Sequence, residues 1–269
     1  MFKRIFSFGC SYTRYKWPTW ADIIALDLGL PYQNWGIGGT GNFAIQSRLV
    51  ECDLKNNLTD SDLVMVLWSG WNREDRFHLD QDGWLRGGFI FNNPNYDMKY
   101  LEKYWRLEND IVRNITVLHS TRKAYKGIIK FEGQLTSPYF GDEYFGGRVN
   151  PIDVEINDWA LKILKNVENH FNHIPTFPKV TPSTWNTLWN DIHPSIKDHL
   201  DFVTHSIYPR LNLQVKQSTI DSVDNLTEEI IKFLKSNKLE TTHTFYNKIS
   251  DISKSHGLLG NYPESNNWI

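Results

Sequence analysis

Leu63-Val64-Met65-Val66-Leu67-Trp68 is the stretch that decides the fold, because six consecutive apolar residues predict a strand that is covered on both faces. Two shorter strand patterns precede it, Lys3–Phe8 and Tyr32–Trp35. Between the strands the apolar residues take helical spacing, over Thr19–Leu28 and over Phe43–Cys52. Parallel α/β sheets alternate strand and helix in this way, with right-handed crossovers. The sequence therefore predicts an α/β fold, a three-layer, doubly wound parallel sheet in which the first strand lies between the second and the third.

Downstream of the third strand the pattern is less regular. Helices are predicted over Asp97–Lys123 and Val154–His170, a fourth strand over Gly127–Leu135, and two modest helices near Thr227–Ser236 and Phe245–Ser253. Because the composition turns polar beyond residue 213, we expect an α/β domain over residues 1–213 and a polar, partly helical C-terminal extension over residues 214–269. The core should fold without this extension, which is a candidate surface for a protein partner.

Composition excludes several classes of function. The chain has 29 Lys and Arg against 31 Asp and Glu, and its formal net charge of -2 gives no field that would mark the whole protein as a nucleic-acid binder. Cys10 and Cys52 form neither a disulfide framework nor the paired spacing of a zinc site. The first residues lack the apolar core of a signal peptide, and no apolar run is long enough to span a membrane. We expect a cytoplasmic protein that needs no metal or cofactor and binds neither nucleic acid nor membrane.

Two motifs follow the first two predicted strands. Ser11 lies in Phe8-Gly9-Cys10-Ser11-Tyr12-Thr13, at the carboxyl edge of the sheet, where α/β folds place their sites. The glycine-rich loop Asn34–Asn42 follows the second strand. Its glycines allow a backbone N–H to approach a charged oxygen closely, so the loop can stabilise an oxyanion.

Two further motifs carry an amide and an imidazole. Asn72 ends Ser69-Gly70-Trp71-Asn72 after the third strand, where its side chain can donate to the same oxyanion. His193 lies in Asn190-Asp191-Ile192-His193-Pro194, just ahead of a predicted helix. A loop histidine beside a carboxylate can act as a general base.

Each motif also has a plainer interpretation. Serine, asparagine and glycine are common in turns, and a single loop histidine is usually a surface residue. Gly36, Gly38 and Gly41 match the dinucleotide pattern G-x-G-x-x-G. However, Asp60 and Asp62 precede the next strand, whereas a ribose-binding carboxylate lies at that strand's carboxyl end. The pattern therefore disfavours a nucleotide site.

Taken together, the four motifs resemble the SGNH hydrolases, also called GDSL esterases or lipases. The resemblance extends over residues 2–211 and rests on the order of four blocks, which are Phe8–Thr13, Asn34–Thr40, Gly70–Asn72 and Asn190–Pro194. Cys10 stands where the first block usually has Asp. Arg73 stands where the third block usually ends in Asp.

The resemblance implies a flavodoxin-like SGNH fold and a set of roles. Ser11 would be the nucleophile and His193 its base. The oxyanion hole would consist of the backbone N–H groups of Ser11 and Gly39 with the amide of Asn72. The implied reaction is hydrolysis of a small-molecule or glycan ester, such as an acyl group on a carbohydrate, through an acyl-serine intermediate.

The acid is where the chain departs from the family. The family's acid lies three residues before the histidine, and that place is occupied by Asn190, whereas Asp191 is one position too close. Asp191 reaches the imidazole by a local shift, or Asn190 orients it without a charge, or the site is weakened. The alternative function is accordingly a catalytically weak or inactive SGNH-fold component of a larger assembly. The Asn-, Lys- and aromatic-rich composition would fit a virus-encoded protein, and then a place in the virion.

Overall fold

The computed structural model describes residues 2–78, 83–85, 98–135, 162–163, 165, 173–178, 180, 184–189, 191, 193–236 and 242–258. The strands are β1 (Ile5–Phe8), β2 (Tyr32–Asn34), β3 (Leu63–Trp68), β4 (Arg76–His78), β5 (Gly83–Leu85) and β6 (Ile129–Gln134). The helices are α1 (Trp20–Leu28), α2 (Asn42–Asn56), α3 (Met98–Tyr104), α4 (Leu107–Ala124), α5 (Thr184–Trp189), α6 (Ile196–Phe202), α7 (Tyr208–Leu211), α8 (Gln217–Ser236) and α9 (Thr242–Ser255). A π-helical turn, Val203–Ile207, joins α6 to α7. No helix in the described ranges is long and apolar enough to cross a membrane.

Four parallel strands form the central sheet, in the order β2-β1-β3-β6. Ser7 of β1 pairs with Asn34 on one side and with Met65 on the other. The predicted parallel α/β sheet and the central place of the first strand are therefore confirmed. The loops that follow β1, β2 and β3 emerge at one edge because the strands run in the same direction. β4 and β5 form a separate antiparallel pair.

Buried side chains of the sheet divide between two apolar clusters, because successive residues of a strand point to opposite faces. Phe6, Phe8, Val64, Val66 and Trp68 share one cluster with residues of α2 and α4. The other cluster combines Ile5, Leu63, Met65 and Leu67 with residues of α1, α6, α8 and α9. Every residue of β3 is buried, so the strand needs apolar side chains on both of its faces.

Several predicted elements have different bounds. The single helix predicted over Asp97–Lys123 is two helices, with a break at Trp105 and Arg106. The indole N–H of Trp105 donates to Asp110 Oδ2 at 3.0 Å, and this bond connects the break to the first turn of α4. Helix α8 begins at Gln217, well before the predicted start near Thr227. Most of the helix predicted over residues 154–170 lies outside the described residues.

Helix α8 packs into the core, which speaks against the expectation that the core folds without the residues beyond 213. Val223, Leu226 and Ile230 are fully buried in the cluster that also contains the α1 side chains. Asp27 of α1 accepts hydrogen bonds from Thr219 Oγ1 at 2.7 Å and from the Lys216 N–H at 2.9 Å. The polar composition conceals an amphipathic helix that completes one face of the sheet. The boundary after residue 213 stays a prediction, as does partner binding by the extension.

The substitution Ile230→Ala is expected to lower the free energy of unfolding by about 2–5 kcal/mol, because it leaves a cavity in this cluster. Lys232→Ala, at an exposed position of the same helix, is the matched control and should change it by less than about 0.5 kcal/mol. Urea titration of both variants measures the difference. Equal unfolding midpoints would show that α8 is an appendage after all.

Candidate active site

Ser11 lies in a tight turn at the end of β1. The carbonyl oxygen of Cys10 accepts hydrogen bonds from the N–H groups of Thr13 and Arg14, at 2.9 and 3.1 Å. Gly9 allows the turn to pack closely, because a Cβ there would lie 2.1 Å from Thr13 Oγ1 and 2.9 Å from the Leu67 carbonyl oxygen. Glycine is thus needed for the turn to sit against the end of β3.

The glycine-rich loop runs beside this turn because β1 and β2 continue to pair past their ends. The Ile37 N–H donates to the Gly9 carbonyl oxygen at 3.0 Å. Asn34 joins the two loops, since its Nδ2 donates to the Thr13 carbonyl oxygen at 2.7 Å and its Oδ1 accepts from the Gly36 N–H at 3.0 Å.

The glycine loop also reaches the proposed nucleophile. A Cβ on Gly38 would lie 3.8 Å from Ser11 Cβ, an ordinary van der Waals distance. Gly39, the neighbour of Gly38 and the predicted oxyanion donor, has a φ of 81°, a conformation that favours glycine.

The loop after β3 holds Asn72, which is buried. The backbone of this loop is held by two asparagines from neighbouring helices. Asn42 Oδ1 accepts from the Ser69 N–H at 2.7 Å, and Asn114 Nδ2 donates to the Trp71 carbonyl oxygen at 2.8 Å. Because Asn42 and Asn114 also bond to each other at 2.7 Å, α2 and α4 hold this loop together.

His193 meets Ser11 directly, although 182 positions separate them. Its Nε2 lies 3.0 Å from Ser11 Oγ, and its Nδ1 lies 2.6 Å from Asp191 Oδ1. An ionised carboxylate can only accept, so the proton belongs on Nδ1 and Nε2 is free to accept the Ser11 hydroxyl proton. The His193 side chain is 25 % exposed, which leaves one side of the pair open to a reactant.

Asp191 reaches the ring from two residues away because its side chain folds back over its own loop. Asp191 Oδ1 also accepts from the backbone N–H of His193 at 2.9 Å, the pattern of an Asx turn. The other oxygen, Oδ2, accepts from the Tyr15 hydroxyl at 2.5 Å. The spacing that looks one position too short is therefore compatible with contact at Nδ1. Asn190 lies outside the described residues.

The electrostatics favour a charged Asp191. Burial acts to raise the pKa of this carboxyl group. The hydrogen bonds from the His193 ring, the Tyr15 hydroxyl and the His193 N–H outweigh that effect and hold the pKa well below its usual value. Asp191 is therefore ionised and able to balance an imidazolium at neutral pH.

Comparisons with known proteins give little beyond this geometry. No protein-family model and no curated protein matches the chain. Among solved structures, an acetylxylan esterase from Geobacillus stearothermophilus, crystallised as a catalytic mutant, is similar with 13 % identity and a TM-score of 0.40. That match covers 80 % of this chain and 97 % of the esterase. A likeness of this strength establishes neither a shared family nor a shared activity.

Cys10 and His199 lie close to the proposed triad. Cys10 is adjacent to Ser11 in the chain and is fully buried. His199 is buried behind Tyr12, and burial lowers its pKa to about 3, so it stays uncharged. Within the described ranges, no three His, Cys, Asp or Glu side chains are grouped so that they could hold a metal ion.

Sequence reasoning missed three residues that build the site. Asp75 accepts from the N–H groups of Gly41 and Ala44 at the start of α2, at 2.5 and 3.0 Å, and thereby fixes the end of the glycine loop. Asn186 Nδ2 donates to the carbonyl oxygens of Asp191 and His193, at 2.9 and 3.0 Å. Tyr15 bonds to Asp191. An aromatic residue close behind the nucleophile was the only available signal for Tyr15, and Asp75 and Asn186 had none.

The depressed pKa of Asp191 predicts a pH-dependent contribution to stability. A carboxyl group whose pKa is lower in the folded state stabilises the fold above its unfolded value, near 3.8, and loses that effect as the pH falls through the folded value. Asp191→Asn should therefore have a lower free energy of unfolding than the wild type at neutral pH, and this difference should become smaller below about pH 4. Urea unfolding at a series of pH values measures the difference. Asp201→Asn, at an exposed position, is the control, and a gap that stayed constant with pH would contradict the assignment.

Proposed function

We propose that the protein is a serine esterase of the SGNH type. The observation that carries this proposal is the alignment of Ser11 Oγ, the two nitrogens of His193 and Asp191 Oδ1, with distances of 3.0 and 2.6 Å. This is the order of groups that activates a serine hydroxyl in hydrolases. The division of the core into two clusters, one on each face of the sheet, supports the three-layer, doubly wound architecture that the family resemblance implies.

The reaction follows from the proton positions. Nε2 of His193 takes the hydroxyl proton as Ser11 Oγ attacks the ester carbonyl carbon, and Asp191 balances the imidazolium that forms. The imidazolium then gives this proton to the departing alcohol, which leaves an acyl-serine. A water molecule, deprotonated by the same nitrogen, attacks the acyl carbon and releases the acid with Ser11 restored.

The oxyanion is assigned to three donors around the nucleophile. These are the backbone N–H groups of Ser11 and Gly39 and the side-chain amide of Asn72. The contact between Gly38 and Ser11 supports the glycine loop in this role. The hydrogen bonds from Asn42 and Asn114 to the loop after β3 support a fixed position for Asn72. Fixed donors need no reorganisation when charge develops on the oxygen, which is why they accelerate acyl transfer.

We assign the acid to Asp191. It contacts Nδ1, three donors keep it charged, and Asn186 holds the carbonyl groups of Asp191 and His193. The substrate class is an ester, and an acyl group carried on a carbohydrate is the candidate from the family resemblance.

The direct test is labelling with a fluorophosphonate probe, which reacts with an activated serine. Wild type should be labelled and Ser11→Ala should not. Asp191→Asn should lower the rate of ester hydrolysis by about 10⁴-fold, as loss of a triad carboxylate does, because the imidazole loses its tautomer and its counter-charge.

Asn190→Ala is the matched comparison at the neighbouring position and should be mild. If Asn190 orients the ring instead, the two effects should reverse. Labelling and turnover no higher in wild type than in Ser11→Ala would overturn the enzyme proposal and favour the non-catalytic scaffold.

A further inference from the structure

Tyr15 makes two contacts with the proposed triad at once. Its hydroxyl donates to Asp191 Oδ2 at 2.5 Å. Its ring stacks on the imidazole of His193, with the ring centroids 3.9 Å apart and the planes inclined by 20°. One side chain therefore touches both the acid and the base.

Each contact favours the charged state through which the reaction passes. The hydroxyl donates to Asp191 Oδ2, whereas His193 bonds to Oδ1. Asp191 therefore cannot rotate away from Nδ1 without losing its bond to Tyr15. The aromatic face attracts a cation through its quadrupole, so a stacked tyrosine stabilises an imidazolium more than a neutral imidazole. In the proposed reaction His193 becomes an imidazolium when it takes the proton of Ser11 and again when it takes a proton of the attacking water.

The position of Tyr15 is itself fixed by the neighbouring aromatic residues. Trp17 packs edge-on against its ring, with centroids 4.7 Å apart and an angle of 80°. The indole N–H of Trp17 donates to the Pro194 carbonyl oxygen at 2.8 Å, and its ring lies against Trp185. The loop behind Ser11 is thereby tied to the loop that carries His193.

We propose that Tyr15 is a positioning residue of the active site, which holds Asp191 against Nδ1 with its hydroxyl and supports the protonated imidazole with its ring. This inference rests on the proposed function for its catalytic consequence. It also accounts for how an acid two residues before the histidine, in place of three, is held in a working position. Its contacts are with Asp191 and the His193 ring, so it acts through these two residues.

The test separates the hydroxyl from the ring with two variants, Tyr15→Phe and Tyr15→Leu. The first readout is the NMR titration of the His193 ring, assigned by the signal that disappears in His193→Gln. Other titratable or charged groups near this ring and Tyr15 are Asp191, Tyr12, His199 and Lys16. They are unchanged in both variants. This readout does not depend on turnover.

Loss of the hydroxyl in Tyr15→Phe should move the titration midpoint of His193 to lower pH, because Asp191 is then no longer held against Nδ1 and the imidazolium loses part of its counter-charge. Loss of the ring in Tyr15→Leu should move the midpoint to lower pH relative to Tyr15→Phe, because the cation loses its aromatic partner. The kcat should fall about tenfold in Tyr15→Phe, the order expected for one hydrogen bond to a charged group, and further in Tyr15→Leu, with KM unchanged.

Tyr208→Phe is the matched control, since it removes the same kind of tyrosine–carboxylate bond, at 2.7 Å to Asp27, between two residues that are not part of the proposed triad. It should lower stability and leave both the His193 midpoint and kcat unchanged. Midpoints equal to the wild type in both Tyr15 variants would overturn the role of Tyr15, even if Ser11 proves to be the nucleophile. Shifted midpoints in a protein without turnover would support the positioning role and overturn the esterase.

Discussion

β1 hydrogen-bonds to β2 on one side and to β3 on the other, and these two parallel pairings determine where most of the candidate site lies. The three strands end at one edge, so the Ser11 turn, the glycine loop and the Asn72 loop must emerge side by side. Further bonds prevent the loops from separating, above all those of Asn34 and Asn42. Gly9 is what allows the Ser11 turn to approach β3 so closely.

The histidine loop reaches this edge by a different route. It lies between α5 and α6, and α6 packs in the apolar cluster that α1 and α8 complete. Trp17 and Asn186 then fix the loop through its backbone carbonyl groups. The apolar core sets the approximate distance between His193 and Ser11, and a few directed hydrogen bonds set the final geometry. Helix α8, which follows the histidine loop in the chain, thus contributes to the position of His193.

The sequence was sufficient to predict the sheet. An apolar run such as β3 fits few structures other than a buried strand, and clear helical patterns connect it with the strands before it. Composition was a poor guide to α8, because Val223, Leu226 and Ile230 recur at helical spacing within a polar segment. Local spacing could not decide between Asn190 and Asp191. The contacts that hold Asp191 beside His193 are an Asx turn and a bond to Tyr15, 176 positions away in the chain. Contacts across such separations leave no periodic pattern in the sequence.

The central claim is that Ser11 becomes acylated. The most direct measurement is to mix the protein with 4-nitrophenyl acetate, quench in acid during turnover, and locate the acetyl group by tandem mass spectrometry of the peptide that contains residues 5–14. The account predicts acetyl on Ser11 in the wild type and its absence in His193→Gln, since the hydroxyl is then not activated. An unmodified Ser11 during turnover, or acetyl that is found on Tyr12 or surface lysines and is equally abundant in His193→Gln, would contradict it.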